Sequence, residues 1–420
     1  MSFASSGGRL GRRQFLGGAA AGLVAGTASG AAAQGQGPLQ GALQVPAWTR
    51  EQGEGVASPP YGVPSPFEKA VGRRPRTKPA FPTAASTGTP LQDLHGIITP
   101  SGLHYERHHA GVPAIDPEQH RLVIHGLVDR PLVLTMNDIA RFPSVSRLWF
   151  LECSGNTPQW TGGSAKWTVQ ETHGLISCSE WTGVRLSTLL DEVGLRPQGR
   201  WILAEGADGA AMSRSIPLDV ALDDALIAYA QNGEHLRPEQ GYPLRLVLPG
   251  IEGNMSIKWL RRLKVGDQPF QTREETSKYT DLMPDGTARQ FTFVMEAKSV
   301  ITSPSGGHQL RDKGFYEIRG LAWSGRGRIT AVDVSTDGGA TWRRAELQAP
   351  VLSRCLTRFR LPWTWEGGPA LLQSRAVDET GYVQPVRQQL VDVRGVNSQY
   401  HFNGIQTWKV EPTGEVSNAA

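Results

Sequence analysis

Hydrophobic and polar positions divide the chain into stretches of different texture. Residues 34–90 are rich in Pro, Gly, Ser, Thr and Gln with little periodicity. That predicts a linker and an extended wrap over a domain surface. From Leu91 the pattern tightens. Arg121–Val128 has strand composition and stops at the turn signal Asp129-Arg130-Pro131. Thr135-Met136-Asn137-Asp138 predicts a helix start, with Thr135 capping the first amides and Asp138 placing an acid at the N-terminus. Arg147–Glu152 carries Leu148, Trp149, Phe150 and Leu151 in succession, which predicts a buried strand. It ends at Cys153 and a Ser154-Gly155-Asn156 turn. Ser187 is placed to cap a short helix with Leu189, Leu190 and Val193 on its apolar face, and Gly194 to end it. Tyr242–Pro249 predicts a further strand, closed by Pro249-Gly250.

From Phe291 short β runs alternate with Gly-rich turns. Thr330–Ser335 alternates, turns at Asp337-Gly338-Gly339 and returns at Trp342, a hairpin signal. Leu371–Val377 and Gln388–Val393 continue the pattern. About 120 residues of this texture suit an immunoglobulin-like β-sandwich. The expected fold is α+β: mixed β-sheet with short helices over residues 91–290, a β-sandwich over 291–412, and a tail over 413–420.

Composition changes this picture little. A length of 420 residues suits two or three domains. The 49 Gly and 29 Pro favour β-rich, loop-rich architecture. A net charge of +4, without a dense Lys/Arg stripe, argues against a nucleic-acid partner. Arg73-Arg74-Pro75-Arg76 is basic but short, and reads as solvated surface. The three cysteines are Cys153, Cys178 and Cys355. None lies in a C-x-x-C pair, which argues against a zinc ribbon, and their sparse, odd number argues against a disulfide framework.

The N-terminus carries an address. Gly11-Arg12-Arg13-Gln14-Phe15-Leu16 is a twin-arginine pattern, followed by a Gly/Ala-rich stretch to Ala31-Ala32-Ala33. Residues 1–33 are therefore expected to be a signal peptide, and the mature protein periplasmic. The stretch is too poor in Leu, Ile and Phe for a membrane span, and none is expected in the mature chain. Twin-arginine export moves folded proteins, which suits an enzyme whose cofactor is inserted before export.

No Walker A loop, H-E-x-x-H, G-x-S-x-G or strand-associated G-x-G-x-x-G occurs. What remains is Cys153 in Leu151-Glu152-Cys153-Ser154-Gly155-Asn156. A buried structural thiol is the bland alternative. A Gly-Asn turn lets backbone approach a bulky group closely, and a soft thiolate suits a polarizable metal.

This segment resembles the metal-binding cysteine motif of the sulfite oxidase family, E-C-x-G-N after a buried strand. The resemblance continues in order along the chain. Tyr105-Glu106-Arg107-His108-His109 resembles the segment that grips the pterin. Glu205-Gly206-Ala207-Asp208 and Ser215-Ile216-Pro217 follow, then Gly241-Tyr242-Pro243-Leu244-Arg245 and Ser256-Ile257-Lys258-Trp259-Leu260. Trp363-x-Trp365, Ser374-Arg375-Ala376-x-Asp378 and Gln384-Pro385 resemble the family's dimerisation domain.

The resemblance implies a molybdenum–molybdopterin cofactor with Cys153 as metal ligand. It implies a cofactor site of Tyr105, Glu106, Arg107, His108, His109, Asp208, Gln240, Arg245, Ser256, Ile257 and Lys258. Arg107, Arg245 and Lys258 suit the anionic end, Asp208 the ring N–H groups, and backbone at 256–258 the phosphate. Tyr279 matches a tyrosine beside the metal, so the expected catalytic set is Cys153, Arg107 and Tyr279.

Departures from the vertebrate pattern narrow the reading. Pro158 stands where an arginine follows the cysteine, Gln240 for a histidine, His108 for an asparagine, and Asn403 for a tail arginine. No C-x-x-C-H occurs, so no haem is expected in this chain. These features resemble the branch in bacterial thiosulfate-oxidising (Sox) systems. That branch implies oxidation of sulfite or carrier-bound sulfane sulfur, with a separate c-type cytochrome subunit as electron acceptor. The substrate partner would be a sulfur-carrier protein or a small sulfur oxyanion, and the chain a homodimer through its C-terminal domain. A related sulfoxide or nitrate reductase, and a non-catalytic exported binding module, remain the alternatives.

Overall fold

The structure is a computed structural model that describes residues 45–53, 68–75 and 83–419. The twin-arginine segment and its cleavage site lie outside the described residues. The architecture is α+β, with short helices set among many strands.

Two sheets share one core in the first half. One has the order β11-β10-β7-β6, with β12 also pairing β10: β6 is Ser144–Glu152, β7 Ile176–Arg185, β10 Leu226–Gln231, β11 Glu234–His235 and β12 Arg245–Val247. The other has the order β5-β4-β13-β8-β9, built from β4 Leu122–Gly126, β5 Leu132–Leu134, β8 Trp201–Gly206, β9 Ser213–Pro217 and β13 Leu260–Gly266. In that sheet β4 and β13 pair in parallel and the other neighbours antiparallel. Ile124, Val184, Ile202, Leu246 and Leu263 meet in the common core.

Helix α1, Met136–Ile139, starts as the sequence predicts. Thr135 accepts the Asp138 N–H at 3.0 Å, and Asp138 accepts the Thr135 N–H at 2.9 Å. Helix α2 spans Val169–His173. Helix α3, Leu186–Val193, buries Leu186, Leu189, Leu190 and Val193 and ends at Gly194, whose φ of +68° favours glycine. Ser187 lies inside α3, where it was expected to be the cap. Arg185 holds the cap position, and the Leu186 N–H donates instead to the Ala225 carbonyl at 2.8 Å. Helices α4, Leu218–Leu222, and α5, Arg273–Thr276, are single turns or little more. The strand expected over Tyr242–Pro249 is reduced to β12.

Part of the expected wrap is built into a sheet. Strand β1, Arg74–Pro75, pairs β2, Ala85–Gly88, and β2 pairs β3, Glu106–His108. Arg73 is not solvated as its basic run suggested: it is 7% exposed and ion-paired with the buried Glu106. Arg74 is exposed, and Arg76 lies outside the described residues.

After a hairpin of β14, Asp281–Leu282, and β15, Ala288–Arg289, comes the sandwich. One sheet has the order β16-β17-β21-β20 and the other β19-β18-β22-β23-β24. The strands are β16 Lys298–Ser303, β17 Gly314–Trp323, β18 Ile329–Ser335, β19 Arg343–Arg344, β20 Glu346–Gln348, β21 Thr357–Trp365, β22 Ala370–Asp378, β23 Thr407–Val410 and β24 Val416–Asn418. Ile318, Trp323, Val332, Phe359 and Trp408 fill the space between them. Phe150, Val169, Ile176 and Cys178 from the first half belong to the same core. The two halves are therefore joined by apolar packing.

The run Gln388–Val393 is helix α6, Arg387–Arg394, where a β run was expected. Leu390 and Arg394 are its buried residues, four apart as on one helix face, while Val393 is exposed. Gln388 bonds Asp392 at 2.7 Å, an i,i+4 pair a strand would not make. Among the described residues no helix is long and apolar enough to cross a membrane.

Candidate active site

Strand β6 delivers Cys153 into a tight turn. The Cys153 N–H donates to the Leu175 carbonyl at 3.0 Å, and the Asn156 N–H donates to the Cys153 carbonyl at 2.9 Å. The Asn156 side chain accepts the Leu175 N–H at 3.1 Å. The neighbouring segment approaches so closely that a Cβ on Gly253 would lie 2.6 Å from the Tyr105 hydroxyl and 2.8 Å from the Glu152 carbonyl. Only glycine fits there.

Cys153 lies on the wall of a cleft. Tyr105, Arg107, His108 and His109 line it from β3 and its flanks, and Asp208 from the turn after β8. Gln240, Arg245, Ser256, Ile257, Lys258 and Tyr279 also line it. The structure thus brings together the sequence-derived set apart from Glu106, whose carboxylate is taken by Arg73 and does not line the cleft.

One end of the cleft concentrates positive charge. The buried Arg245 guanidinium donates to the carbonyls of Gln240 and Ser256, at 3.0 and 3.1 Å, over the Trp181 ring at 4.8 Å. Burial lowers its pKa to about 10. Lys258 Nζ donates to the Glu239 carbonyl at 2.7 Å. Burial, and then Arg245, lower the Lys258 ammonium to about 7. His104 Nε2, both ring nitrogens of His108 and Arg245 Nε have no hydrogen-bond partner among the described residues. Burial holds His104 and His108 well below the ordinary imidazole range, and they are neutral.

Repelling buried cations, held mainly by neutral acceptors and ringed by unsatisfied polar atoms, make a receptor for an anionic, polar group. A phosphate-bearing pterin fits these residues. Asp208 adds an acceptor, its carboxyl pKa raised by burial and its oxygen bonded by the Met212 N–H at 3.1 Å.

The Cys153 end differs. The Tyr279 hydroxyl lies 3.5 Å from His109 Nε2, and its ring packs on Tyr400 at 5.1 Å. Burial, and then Cys153, push its phenol pKa up, so it stays protonated. Burial and nearby cations lower His109 to about 3, so it is neutral. Arg107 donates to the His108 carbonyl at 2.9 Å. Arg214 lies 5.2 Å over the Tyr279 ring but is engaged by carboxylates, Glu252 at 2.8 Å and Glu275 at 3.6 Å. Thr157, Trp259, Tyr279 and His401 all hold positive φ, between +50° and +63°. Such backbone persists only where the surroundings enforce it, as at working sites.

Pro158 and Asn403, which stand where the vertebrate pattern has arginine, lie off the cleft wall. Pro158 is exposed to solvent. Asn403 is buried with its amide on the Ala297 carbonyl and the Tyr382 hydroxyl, both at 3.1 Å. The sequence reading also missed contributors. His104 and Asn254 line the cleft, as does Trp259 of the Ser256–Leu260 motif, and Arg73 braces it from the wrap. His104 sits beside the Tyr105–His109 motif and was within reach. Nothing in the sequence signals that His401, from beyond α6, donates its backbone N–H to the Ser154 carbonyl at 2.7 Å.

Among the described residues no group of three or more His, Cys, Asp or Glu side chains could hold a metal alone. A metal at Cys153 would draw further ligands from a cofactor.

Residues 109–274 match the model of the oxidoreductase molybdopterin binding domain, and 289–407 that of the Mo-co oxidoreductase dimerisation domain. The crystal structure of the sulfane dehydrogenase SoxCD from Paracoccus pantotrophus is similar at 50% identity and TM-score 0.83, over 90% of this chain and 97% of that one. Mitochondrial sulfite oxidase of Drosophila melanogaster is 31% identical over 80% of this chain, and the NADH nitrate reductase of Ulva prolifera 33% identical over 64%. The chain spans 64% of that sulfite oxidase and 34% of that nitrate reductase.

Proposed function

We infer that this chain, which belongs to the sulfite oxidase family of molybdopterin oxidoreductases, oxidises sulfur that a carrier protein presents as sulfane, with free sulfite as the lesser substrate. The observation that carries this reading is the charge at the Cys153 end. Arg214 is engaged by Glu252 and Glu275, and Arg245 and Lys258 belong to the cofactor-phosphate end. Of the cations lining the cleft, Arg107 is the one whose charge acts on Tyr279, while it also donates to the His108 carbonyl. A free dianion needs several cations in a water-poor site. A carrier-bound substrate draws binding energy from protein–protein contact and needs fewer. The similarity to a sulfane dehydrogenase supports the same reading.

Arg245, Lys258 and the backbone of Ser256 and Ile257 would hold the cofactor's phosphate. Tyr105, His108, His109, Asp208 and Gln240 would shape the pterin seat, with Glu106 acting behind it through Arg73. Cys153 would bind the molybdenum. When bound, the cofactor supplies two-electron oxygen-atom transfer to sulfur, with water as the oxygen source. Tyr279, protonated and held toward neutral His109, donates a hydrogen bond to a substrate oxygen. Arg107 fixes a second oxygen by charge.

The same reading makes residues 1–33 a twin-arginine signal, the mature protein periplasmic, a separate c-type cytochrome its electron acceptor, and the sandwich the interface of a homodimer. Steady-state kinetics with the cytochrome test the substrate. A sulfur-loaded carrier protein should give the higher kcat/KM, and a wide margin in favour of sulfite would leave a plain sulfite dehydrogenase. Lysine at both Arg12 and Arg13 should strand the protein in the cytoplasm.

A further inference from the structure

The carboxylate of Glu152, the residue before Cys153, is fully buried. Three donors satisfy it, and two come from the β-sandwich. Lys298 Nζ of β16 lies 3.0 Å from Oε1, and Trp323 Nε1 of β17 donates to Oε2 at 2.7 Å. The third, Asn156 Nδ2, donates to Oε1 at 2.9 Å from the cysteine turn itself. Lys298 and Trp323 are both buried, and the ammonium stands 5.9 Å from the Trp323 ring centre. A second tie joins the same turn to the chain beyond α6, where the His401 N–H holds the Ser154 carbonyl at 2.7 Å. His401 Nε2 reaches Glu252 at 3.2 Å, and Glu252 forms a β-bridge with Glu152. The turn bearing the proposed metal ligand is therefore gripped on both sides by the C-terminal half of the chain.

We propose that Lys298 and Trp323 are positioning residues for the Cys153 thiolate, so that the β-sandwich is a working part of the metal site and not only a surface for assembly. The inference rests on the reading of Cys153 as metal ligand. The physical ground is that a buried carboxylate with three directed donors has one low-energy place. A cysteine joined to it by one peptide bond inherits that place. Outer-shell partners of this kind orient ligands and tune the metal. The apolar core shared by the two halves supplies docking without this clamp, since Phe150, Val169, Ile176 and Cys178 pack there independently of the Glu152 carboxylate. The clamp's effect can therefore be separated from assembly.

The test uses the full-length, molybdenum-loaded protein. Trp323→Phe removes one donor and keeps most of the ring. Lys298→Gln removes the charge, and Lys298→Arg restores it. Molybdenum content, the electron paramagnetic resonance spectrum of the half-reduced metal, and kcat with KM are measured for each. In Trp323→Phe and Lys298→Gln the metal should stay bound with a shifted or broadened spectrum. Their kcat should fall by about 10–100-fold with little change in KM, the range for outer-shell changes. Lys298→Arg should recover the wild-type spectrum in large part. Trp323→Phe with the wild-type spectrum and kcat would overturn the proposal, as would Lys298→Arg no closer to wild type than Lys298→Gln. Wild-type protein that carries no molybdenum would instead overturn the ligand reading on which it rests.

Discussion

Lys258 Nζ donates to the Glu239 carbonyl at 2.7 Å, so this buried cation rests on a neutral acceptor. Burial, and then the neighbouring Arg245, lower its pKa to about 7, which ties cofactor binding to pH. An anion bound beside Lys258 raises that pKa again, so above about pH 7 binding must take up a proton. Molybdopterin affinity should therefore fall as pH rises, by up to about tenfold per pH unit. Lys258→Gln should bind more weakly at low pH and lose that slope. Cofactor retained after dialysis across the pH range measures it; a wild-type slope in Lys258→Gln would contradict the assignment.

Arg73 and Glu106 form an ion pair with side chains 2% and 0% exposed. Removing one partner leaves a buried charge uncompensated, at a cost of roughly 3–5 kcal/mol. Arg73→Met should lower the unfolding midpoint and weaken cofactor retention. Adding Glu106→Gln should recover much of the stability, read by denaturation of the two variants side by side.

Tyr279 should act through one directed hydrogen bond. Tyr279→Phe, assayed at equal molybdenum content, should lower kcat/KM by roughly tenfold, the worth of about 1.4 kcal/mol. An unchanged value would remove Tyr279 from the catalytic set.

Asn403 faces the Ala297 carbonyl and the Tyr382 hydroxyl, and does not line the cleft. Asn403→Arg should cost at least about 2 kcal/mol of stability, because a guanidinium must then be buried where an amide now fits. It should not improve turnover of free sulfite. A gain would mean that the tail can turn this position toward substrate.

The sequence made some of this legible and hid the rest for physical reasons. Strand β6 and its cysteine turn were readable because an unbroken apolar run ending in Ser-Gly-Asn has few other uses. The Thr135–Asp138 cap was readable because both of its bonds are local. Helix α6 was read as strand because one buried leucine among polar residues gives no clear period. Arg73 was read as surface because its partner Glu106 lies 33 residues on, and pairing at that distance leaves no local trace. The hold of Lys298, Trp323 and His401 on the cysteine turn is longer in range still. Each looks locally like an ordinary sandwich or loop residue.

The claim beneath all of these is that Cys153 supplies the protein's thiolate to molybdenum. X-ray absorption at the molybdenum edge, which counts sulfur neighbours, tests it most directly on wild type, Cys153→Ser and Cys178→Ser. The wild-type sulfur shell should lose one neighbour in Cys153→Ser, with activity abolished. Cys178→Ser, whose sulfur sits 3.2 Å from that of Cys355 in the interior, should keep the full shell and its turnover. An unchanged sulfur shell in Cys153→Ser, or a sulfur lost in Cys178→Ser, would contradict the account.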